Sequence, residues 1–149
     1  MKIGIAADHA GFEQKQTLIE QLKSAGYDIA DYGAFAYDSN DDYPDIIVPL
    51  AKAIADGTVS RGIAVCGSGV GVSVAANKFK GVRAALIAET YSAHQGVEHD
   101  DMNLLCLGGR VIGEALILEL SKAFLNAKYL AEDRFQRRLD KVIAIENAK

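Results

Sequence analysis

The sequence predicts an α/β fold: a three-layer, Rossmann-like arrangement of one five-stranded parallel sheet with helices on both faces and a C-terminal helix. Short apolar runs alternate with segments of helical period along the whole chain, as in repeated βαβ units. Half of the 149 residues are apolar, which is enough to bury a core without disulfides or a structural metal. No repeat or linker interrupts the pattern, so residues 1–149 are expected to form a single domain.

The strands are predicted from the apolar runs, which lie at residues 2–7, 27–32, 62–66, 82–88 and 104–107. Residues 27–32 alternate in polarity, as a half-buried strand does, whereas residues 62–66 are a short continuous run typical of a buried one. The polar, turn-rich stretch 34–44 is predicted to be a loop.

The helices are predicted from apolar side chains at helical spacing, at residues 12–22, 45–56, 72–79, 91–98, 113–125 and 131–147. Gly26 is a stop signal for the first of them. Pro49 is compatible with the second only near its first turn, because proline lacks the amide that the helix interior needs.

The strand order 2-1-3-4-5, as in flavodoxin-like folds, places the ligand crevice between strands one and three. Asp8 and His9 follow strand one, and the segment 66–71 closes strand three. Because the carboxyl ends of parallel strands share one edge of the sheet, this order predicts that the two groups face each other across one crevice.

Composition and net charge argue against several classes of function. The net charge of -4, with acidic and basic residues interspersed, argues against a nucleic-acid partner but leaves room for a small anionic substrate. The N-terminus lacks the features of a signal peptide, and no stretch is long and apolar enough for a membrane span. Cys66 and Cys106 form no zinc-type or disulfide pattern, so we expect a cytoplasmic protein.

The segment Cys66-Gly67-Ser68-Gly69-Val70-Gly71 is the most informative part of the chain. Its alternate glycines let backbone amides turn towards an anion, such as a phosphate or an enediolate oxygen, at the start of a helix. A cysteine beside that positive helix end is favoured as thiolate, which can remove a proton from carbon or attack a carbonyl. The alternative is a buried structural cysteine before a tight turn.

A nucleotide cofactor is not expected. The glycines follow strand three rather than strand one, and Val72 stands where the third glycine of a dinucleotide fingerprint belongs. No Lys-Ser or Lys-Thr pair follows them, which excludes a Walker A loop. The sequence therefore predicts neither a metal nor a cofactor.

Three further groups of residues have both a functional and a structural interpretation. Asp8 caps a helix or, with His9, supplies an acid/base and phosphate contact. His99 belongs to a solvated acidic turn, or is brought towards the ligand by the fourth βα unit. Arg134 and Arg138, one turn apart, form a solvated basic face or a phosphate clamp.

Together these residues resemble those of the type B ribose-5-phosphate isomerases, a family that includes the galactose-6-phosphate isomerase subunits. The similarity runs almost end to end. It is carried by residues 8–12, 42–44, 66–71, 76–78, 91–93, 99–103 and 108–111 and by the arginine pair near the end.

The resemblance implies a Rossmann-like homodimer with shared active sites, dimer pairing into tetramers being left open. It implies interconversion of ribose 5-phosphate and ribulose 5-phosphate through a cis-enediolate, in the pentose phosphate pathway, without metal or nucleotide. The resemblance implies that Cys66 is the base and that the enediolate is bound by the loop Gly67, Ser68, Gly69, Val70 and Gly71, in which Ser68 moves protons. It implies that Asp8 and His99 open the sugar ring and that Tyr43 is a wall of the sugar pocket. The phosphate contacts that it implies are His9, Arg110, Arg134 and Arg138.

Two positions depart from the family's commonest pattern. Ser68 replaces a frequent threonine and keeps the hydroxyl, whereas Asp100 stands where asparagine is usual, so a carboxylate would face the substrate. A six-carbon substrate, galactose 6-phosphate or allose 6-phosphate, is the alternative within the family. A non-catalytic nucleotide- or phosphate-binding module is the alternative outside it.

Overall fold

The computed structural model describes residues 1–148, which form five strands and six α-helices. The strands are β1 (Lys2–Ala7), β2 (Asp28–Asp31), β3 (Arg61–Cys66), β4 (Ala84–Leu86) and β5 (Leu104–Gly108). The helices are α1 (Phe12–Ser24), α2 (Tyr43–Ala55), α3 (Val70–Ala76), α4 (Thr90–Asp100), α5 (Glu114–Asn126) and α6 (Asp133–Asn147), and the 3₁₀ turn His9–Gly11 links β1 to α1. Within this described part, no helix combines the length and apolar character needed to cross a bilayer.

The strands form one parallel sheet in the order β2-β1-β3-β5-β4. The predicted α/β, Rossmann-like class is confirmed, but the predicted order 2-1-3-4-5 is wrong in its last two strands. Every residue of β5 is buried, so this strand needs a neighbour on each side, whereas the three residues of β4 are partly or fully exposed and suit an edge.

Apolar side chains cover the sheet on both faces and make the three layers. On one face, β-strand residues such as Ile5 and Leu105 pack with buried residues of α1, α4 and α5. On the other, Ala64 and Cys66 pack with residues of α2 and α3. Cys66 therefore belongs to the side of the sheet that α2 and α3 cover.

Several helix boundaries differ from the predicted ones. Helix α2 begins at Tyr43, so Pro49 lies beyond the first turn, contrary to expectation. Pro49 and Asp45 are both exposed, so water can bind the carbonyl that proline leaves without a partner. Helix α4 continues through Asp100, so His99 and Asp100 lie in its last turn rather than in a loop after it.

Candidate active site

The candidate site lies at the carboxyl ends of β1 and β3. Ala7 pairs with Val65 in the sheet, and the amide of Asp8 donates a hydrogen bond of 3.3 Å to the Val65 carbonyl. Asp8 thus leaves β1 directly beside the place where Cys66 ends β3. This is the juxtaposition expected from the topology, and it depends only on the neighbouring positions of β1 and β3.

The loop after β3 turns its backbone back onto the cysteine. The Cys66 side chain is 4% exposed, and its sulfur accepts a hydrogen bond of 3.2 Å from the Gly69 amide. Gly69 has φ of +85°, and a Cβ built there would lie 2.5 Å from Leu86 Cδ1, so only glycine fits. The Val70 amide donates to Ser68 Oγ at 3.2 Å, and the next amides of the first turn of α3 have no intrahelical acceptor, which favours an anion here.

The second cysteine is not part of this crevice. Cys106 is fully buried in β5, where burial raises the pKa of its thiol far above the ordinary value of 9.0, with the nearby Cys66 adding to the effect. Cys106 therefore remains a neutral thiol of the core, and Cys66 is the sulfur available for chemistry.

Strand β5 brings Arg110 to the same crevice. The Gly109 amide donates to the Cys66 carbonyl at 2.8 Å, and the Arg110 amide donates to the Gly67 carbonyl at 3.0 Å. A Cβ built on Gly67 would lie 3.6 Å from Arg110 Cδ, so the arginine side chain runs alongside the loop. Gln14, which the sequence analysis did not single out, donates from Nε2 to the Gly109 carbonyl at 3.1 Å and anchors this turn to α1.

Tyr43 forms a wall of the loop. It is the first residue of α2, and a Cβ built on Gly71 would lie 2.8 Å from Cζ of its ring. The glycine thus allows the tyrosine ring to lie directly against the first turn of α3. The hydroxyl-bearing side chain remains 38% exposed, which leaves it accessible to a ligand in the crevice.

Asp8 caps the 3₁₀ turn His9–Gly11 rather than α1 itself, whose N-cap is Gly11, and it is an unusual carboxylate. Its Oδ1 accepts a hydrogen bond of 3.0 Å from the Ala10 amide. Burial nevertheless raises the pKa of Asp8 above 3.8, because desolvation of the charged form outweighs that hydrogen bond, and the Asp41 charge adds to the rise. A carboxyl group that holds a proton more firmly suits proton transfer.

His9 has a partner that the sequence analysis missed. Its Nδ1 lies 2.6 Å from Asp41 Oδ1, and its backbone amide donates to the same oxygen at 3.1 Å. The loop 34–44 carries several aspartates, so no sequence signal separated Asp41 from its neighbours. Asp8, His9 and Asp41 offer potential metal-ligand atoms within 4.8 Å of one another, but hydrogen bonds to Ala10 and between His9 and Asp41 already account for this cluster.

The remaining predicted residues lie elsewhere. Helix α4 starts after β4, at the carboxyl ends of the strands, where Cys66 also lies. It runs back along the sheet for about 16 Å, at 1.5 Å per residue. Its last turn is followed by Asn103, whose carbonyl accepts from the Gly62 amide at the start of β3. Within one chain the fourth βα unit thus leaves His99 away from Cys66, because this helix runs antiparallel to the strands.

His99, Arg134 and Arg138 form a second group, towards the amino ends of the strands. The His99 ring stacks on Phe135 with centroids 4.0 Å apart, and the Arg134 guanidinium lies 4.5 Å from the centre of the same ring. Arg138 follows one turn later in α6, and Asp100 is exposed beside His99. The chain thus builds two separate clusters. The crevice cluster contains Asp8, His9, Tyr43, residues 66–71 and Arg110, and the distal cluster contains His99, Asp100, Arg134 and Arg138.

Comparison with known proteins identifies relatives of the whole chain. Residues 3–142 match the family described as Ribose/Galactose Isomerase. The chain is 39% identical over 148 residues to ribose-5-phosphate isomerase B of Escherichia coli K12, covering 99% of this chain and 98% of that protein. It is also 39% identical over 129 residues to D-erythrulose-4-phosphate isomerase of Pectobacterium atrosepticum, covering 87% and 85%.

A solved structure gives the same result for the fold. Ribose-5-phosphate isomerase B from Mycoplasma genitalium, crystallised with bound ribulose-5-phosphate, matches with a TM-score of 0.94 and 38% identity, covering 99% of this chain and 97% of that one. The resemblance inferred from the sequence motifs is therefore confirmed.

Proposed function

Because the chain belongs to the ribose/galactose isomerase family, we propose that it interconverts ribose 5-phosphate and ribulose 5-phosphate, a step of the pentose phosphate pathway. One observation supports a particular base for this reaction: the buried sulfur of Cys66 lies at the base of a glycine-rich crevice and accepts a hydrogen bond from a backbone amide. That arrangement suits a base that must take a proton from carbon beside a carbonyl.

The proposed reaction uses the crevice in three steps. Asp8 and His99, the histidine being supplied by the second subunit of the dimer proposed below, open the furanose ring, and the raised pKa of Asp8 suits it to exchange a proton with the sugar. Cys66 then removes the proton from C2 of the open aldose, which gives a cis-enediolate, and afterwards returns the proton to C1 to give the ketose. The resulting cis-enediolate carries negative charge on its oxygens, which the amides of residues 67–71 stabilise as an oxyanion hole does, and Ser68 moves protons between those oxygens.

The phosphate is held at the ends of the crevice. Arg110 lies alongside Gly67 and Ala10, and His9 precedes Ala10, so the phosphate dianion on C5 can be bound on this side. Arg134 and Arg138 provide the guanidinium groups best suited to a phosphate, but within one chain they lie in the distal cluster.

We therefore propose a homodimer in which the distal cluster of one subunit completes the crevice of the other. Exposed apolar side chains support this arrangement. Val70 and Val74, on the outer face of α3 beside the loop, are 51% and 55% exposed, and Val142 and Ile145 of α6 are 53% and 67% exposed. Exposed apolar surface on α3, which follows the crevice loop, and on α6, which carries Arg134 and Arg138, suits burial between two copies of the chain.

The test is turnover of ribose 5-phosphate by the purified protein in excess EDTA. Galactose 6-phosphate, allose 6-phosphate and D-erythrulose 4-phosphate are assayed alongside. Rapid conversion of the pentose, undiminished by EDTA, supports both the reaction and its independence of metal. Loss of turnover in EDTA, restored by a divalent cation, would contradict the metal-free route.

A sugar phosphate of another length is the second candidate, because the D-erythrulose-4-phosphate isomerase matches this chain at the same identity as the pentose isomerase of Escherichia coli. A higher kcat/KM for the tetrose or a hexose would keep the enediolate route and change the substrate. Absence of turnover with all four would favour a phosphate-binding module.

We also propose a cytoplasmic location. Cys66 and Cys106 are both free thiols, as expected in a reducing compartment, and the proposed route requires Cys66 to remain reduced.

A further inference from the structure

The contact between His9 and Asp41 has no part in the chemistry proposed above. One oxygen of Asp41 meets both the ring Nδ1 of His9 at 2.6 Å and its backbone amide at 3.1 Å, across 32 residues of sequence. A single carboxylate oxygen therefore fixes the main chain and the ring orientation of His9 together.

Asp41 is held tightly in this place. Its side chain is 10% exposed, and within residues 1–148 its Oδ2 is buried without a hydrogen-bond partner. A buried carboxylate with one unsatisfied oxygen is costly unless a positive charge lies beside it. Lys15 of α1, whose Nζ donates to the Ala34 carbonyl at the start of the same loop, is paired with Asp31, so the partner that Asp41 has is His9.

The contact determines which ring nitrogen of His9 is available. Nδ1 faces Asp41, and no hydrogen bond to Nε2 is found among the described residues. A phosphate oxygen accepts from Nε2 only when that nitrogen carries a proton. Because Asp41 occupies the Nδ1 side of the ring, Nε2 is the ring nitrogen that remains to face a ligand.

The loop that carries Asp41 also carries other parts of the crevice wall. Tyr37 packs edge-on against the His9 ring with centroids 6.4 Å apart, and Tyr43 lies against Gly71. Asp8, the other acidic group close to His9, is held by the Ala10 amide rather than by the ring. Asp41 is thus the side chain whose hydrogen bonds orient His9.

We propose that Asp41 is a positioning residue for phosphate binding: it holds the main chain and the ring of His9 so that Nε2 is directed at the phosphate of the substrate. This inference rests on the proposed function, in which His9 contacts that phosphate.

The experiment compares Asp41→Ala, Asp41→Asn, His9→Gln and the double variant His9→Gln/Asp41→Ala in the full-length protein. We expect Asp41→Ala to raise KM for ribose 5-phosphate about tenfold, the loss of one charge-assisted hydrogen bond, with kcat within about twofold. The inhibition constant of inorganic phosphate should rise by the same factor. Asp41→Asn keeps the Oδ1 acceptor without the charge, so it should recover part of the loss and serves if the alanine variant does not fold.

Asp38→Asn is the matched control. It removes one charge from the same loop at an exposed position, where Oδ1 accepts the Asn40 amide and asparagine can do the same. Its KM and phosphate inhibition should equal those of the wild type. If Asp38→Asn raised KM as much as Asp41→Asn does, the effect would come from the total charge of the loop rather than from the contact with His9, and the inference would be overturned.

The double variant and the NMR signature separate the remaining outcomes. If Asp41 acts through His9, Asp41→Ala adds nothing to His9→Gln, and the ¹⁵N shifts of the His9 ring change in Asp41→Ala. If His9→Gln raises KM and Asp41→Ala does not, the inference fails while the role of His9 stands. If His9→Gln leaves both KM and phosphate inhibition unchanged, the proposed phosphate contact itself fails.

Discussion

The carbonyl oxygen of Cys66 accepts a hydrogen bond of 2.8 Å from the amide of Gly109, which joins the end of β3 to the turn that carries Arg110. The proposed base and a proposed phosphate contact are therefore set by two adjacent strands of the core. Such placement limits their relative motion, because both strand ends continue the hydrogen-bond ladder of β3 and β5.

Gly69→Ala should abolish activity and destabilise the fold. A Cβ at this position would lie 2.5 Å from Leu86 Cδ1 and 2.9 Å from the Leu107 carbonyl carbon, and the backbone has φ of +85°. Steric overlap and strain together should cost about 2–4 kcal/mol of unfolding free energy, measured by urea denaturation. Gly26→Ala is the control, since φ is +93° there but nothing lies within 4 Å of the added Cβ. Equal losses in the two variants would show that the packing around the loop is unimportant.

Cys66→Ala should lose turnover while keeping the fold. Removal of a general base lowers kcat by about 10²–10⁴-fold, and the small side chain fits the same buried position. Cys106→Ala should behave in the opposite way, with kcat/KM retained and about 1 kcal/mol of stability lost from the core. Steady-state kinetics and thermal unfolding of both variants distinguish the roles. Retained turnover in Cys66→Ala would remove the cysteine from the mechanism.

Mixed dimers should regain activity from two inactive variants. In a dimer of Cys66→Ala and His99→Ala subunits, one site has both defects, and the other combines an intact crevice cluster with an intact distal cluster. Random reassociation makes half of the dimers mixed, so about a quarter of wild-type activity is expected after co-refolding of equal amounts.

The control for this complementation pairs Cys66→Ala with Asp8→Asn. Both changes lie in the crevice cluster, so each site of a mixed dimer keeps one defect and no activity returns. Recovery in this control, or none with His99→Ala, would contradict a site shared between subunits.

The sequence was sufficient for the fold class and for the crevice cluster, because both follow from local patterns. Apolar runs marked the strands, and the carboxyl ends of β1 and β3 had to meet once those strands were neighbours. The order of β4 and β5 was not determined by their apolar character alone. The decisive feature was that β5 is buried along its whole length while β4 is short and half-exposed.

The distal cluster and Asp41 were beyond sequence reasoning for different reasons. His99 was expected after α4, but the helix continues through it and its antiparallel course takes the residue away from Cys66. Asp41 acts across 32 residues on His9, a contact that depends on the path of the loop after β2 rather than on any periodic pattern.

Asp8→Asn should raise stability at neutral pH while removing activity. Burial raises the pKa of Asp8 in the folded chain above 3.8. At a pH between the unfolded and folded pKa values, the folded chain therefore binds this proton more strongly than the unfolded chain does. The stabilisation from this proton is complete below the unfolded pKa and is lost as pH rises through the folded pKa. Asparagine does not titrate and can still accept the Ala10 amide through Oδ1.

The difference in unfolding free energy between Asp8→Asn and the wild type should therefore increase from about pH 3 to about pH 7, because other groups titrate alike in both proteins. Urea denaturation across this range measures it. A difference that does not vary with pH would mean that Asp8 has the same pKa in the folded and unfolded chain.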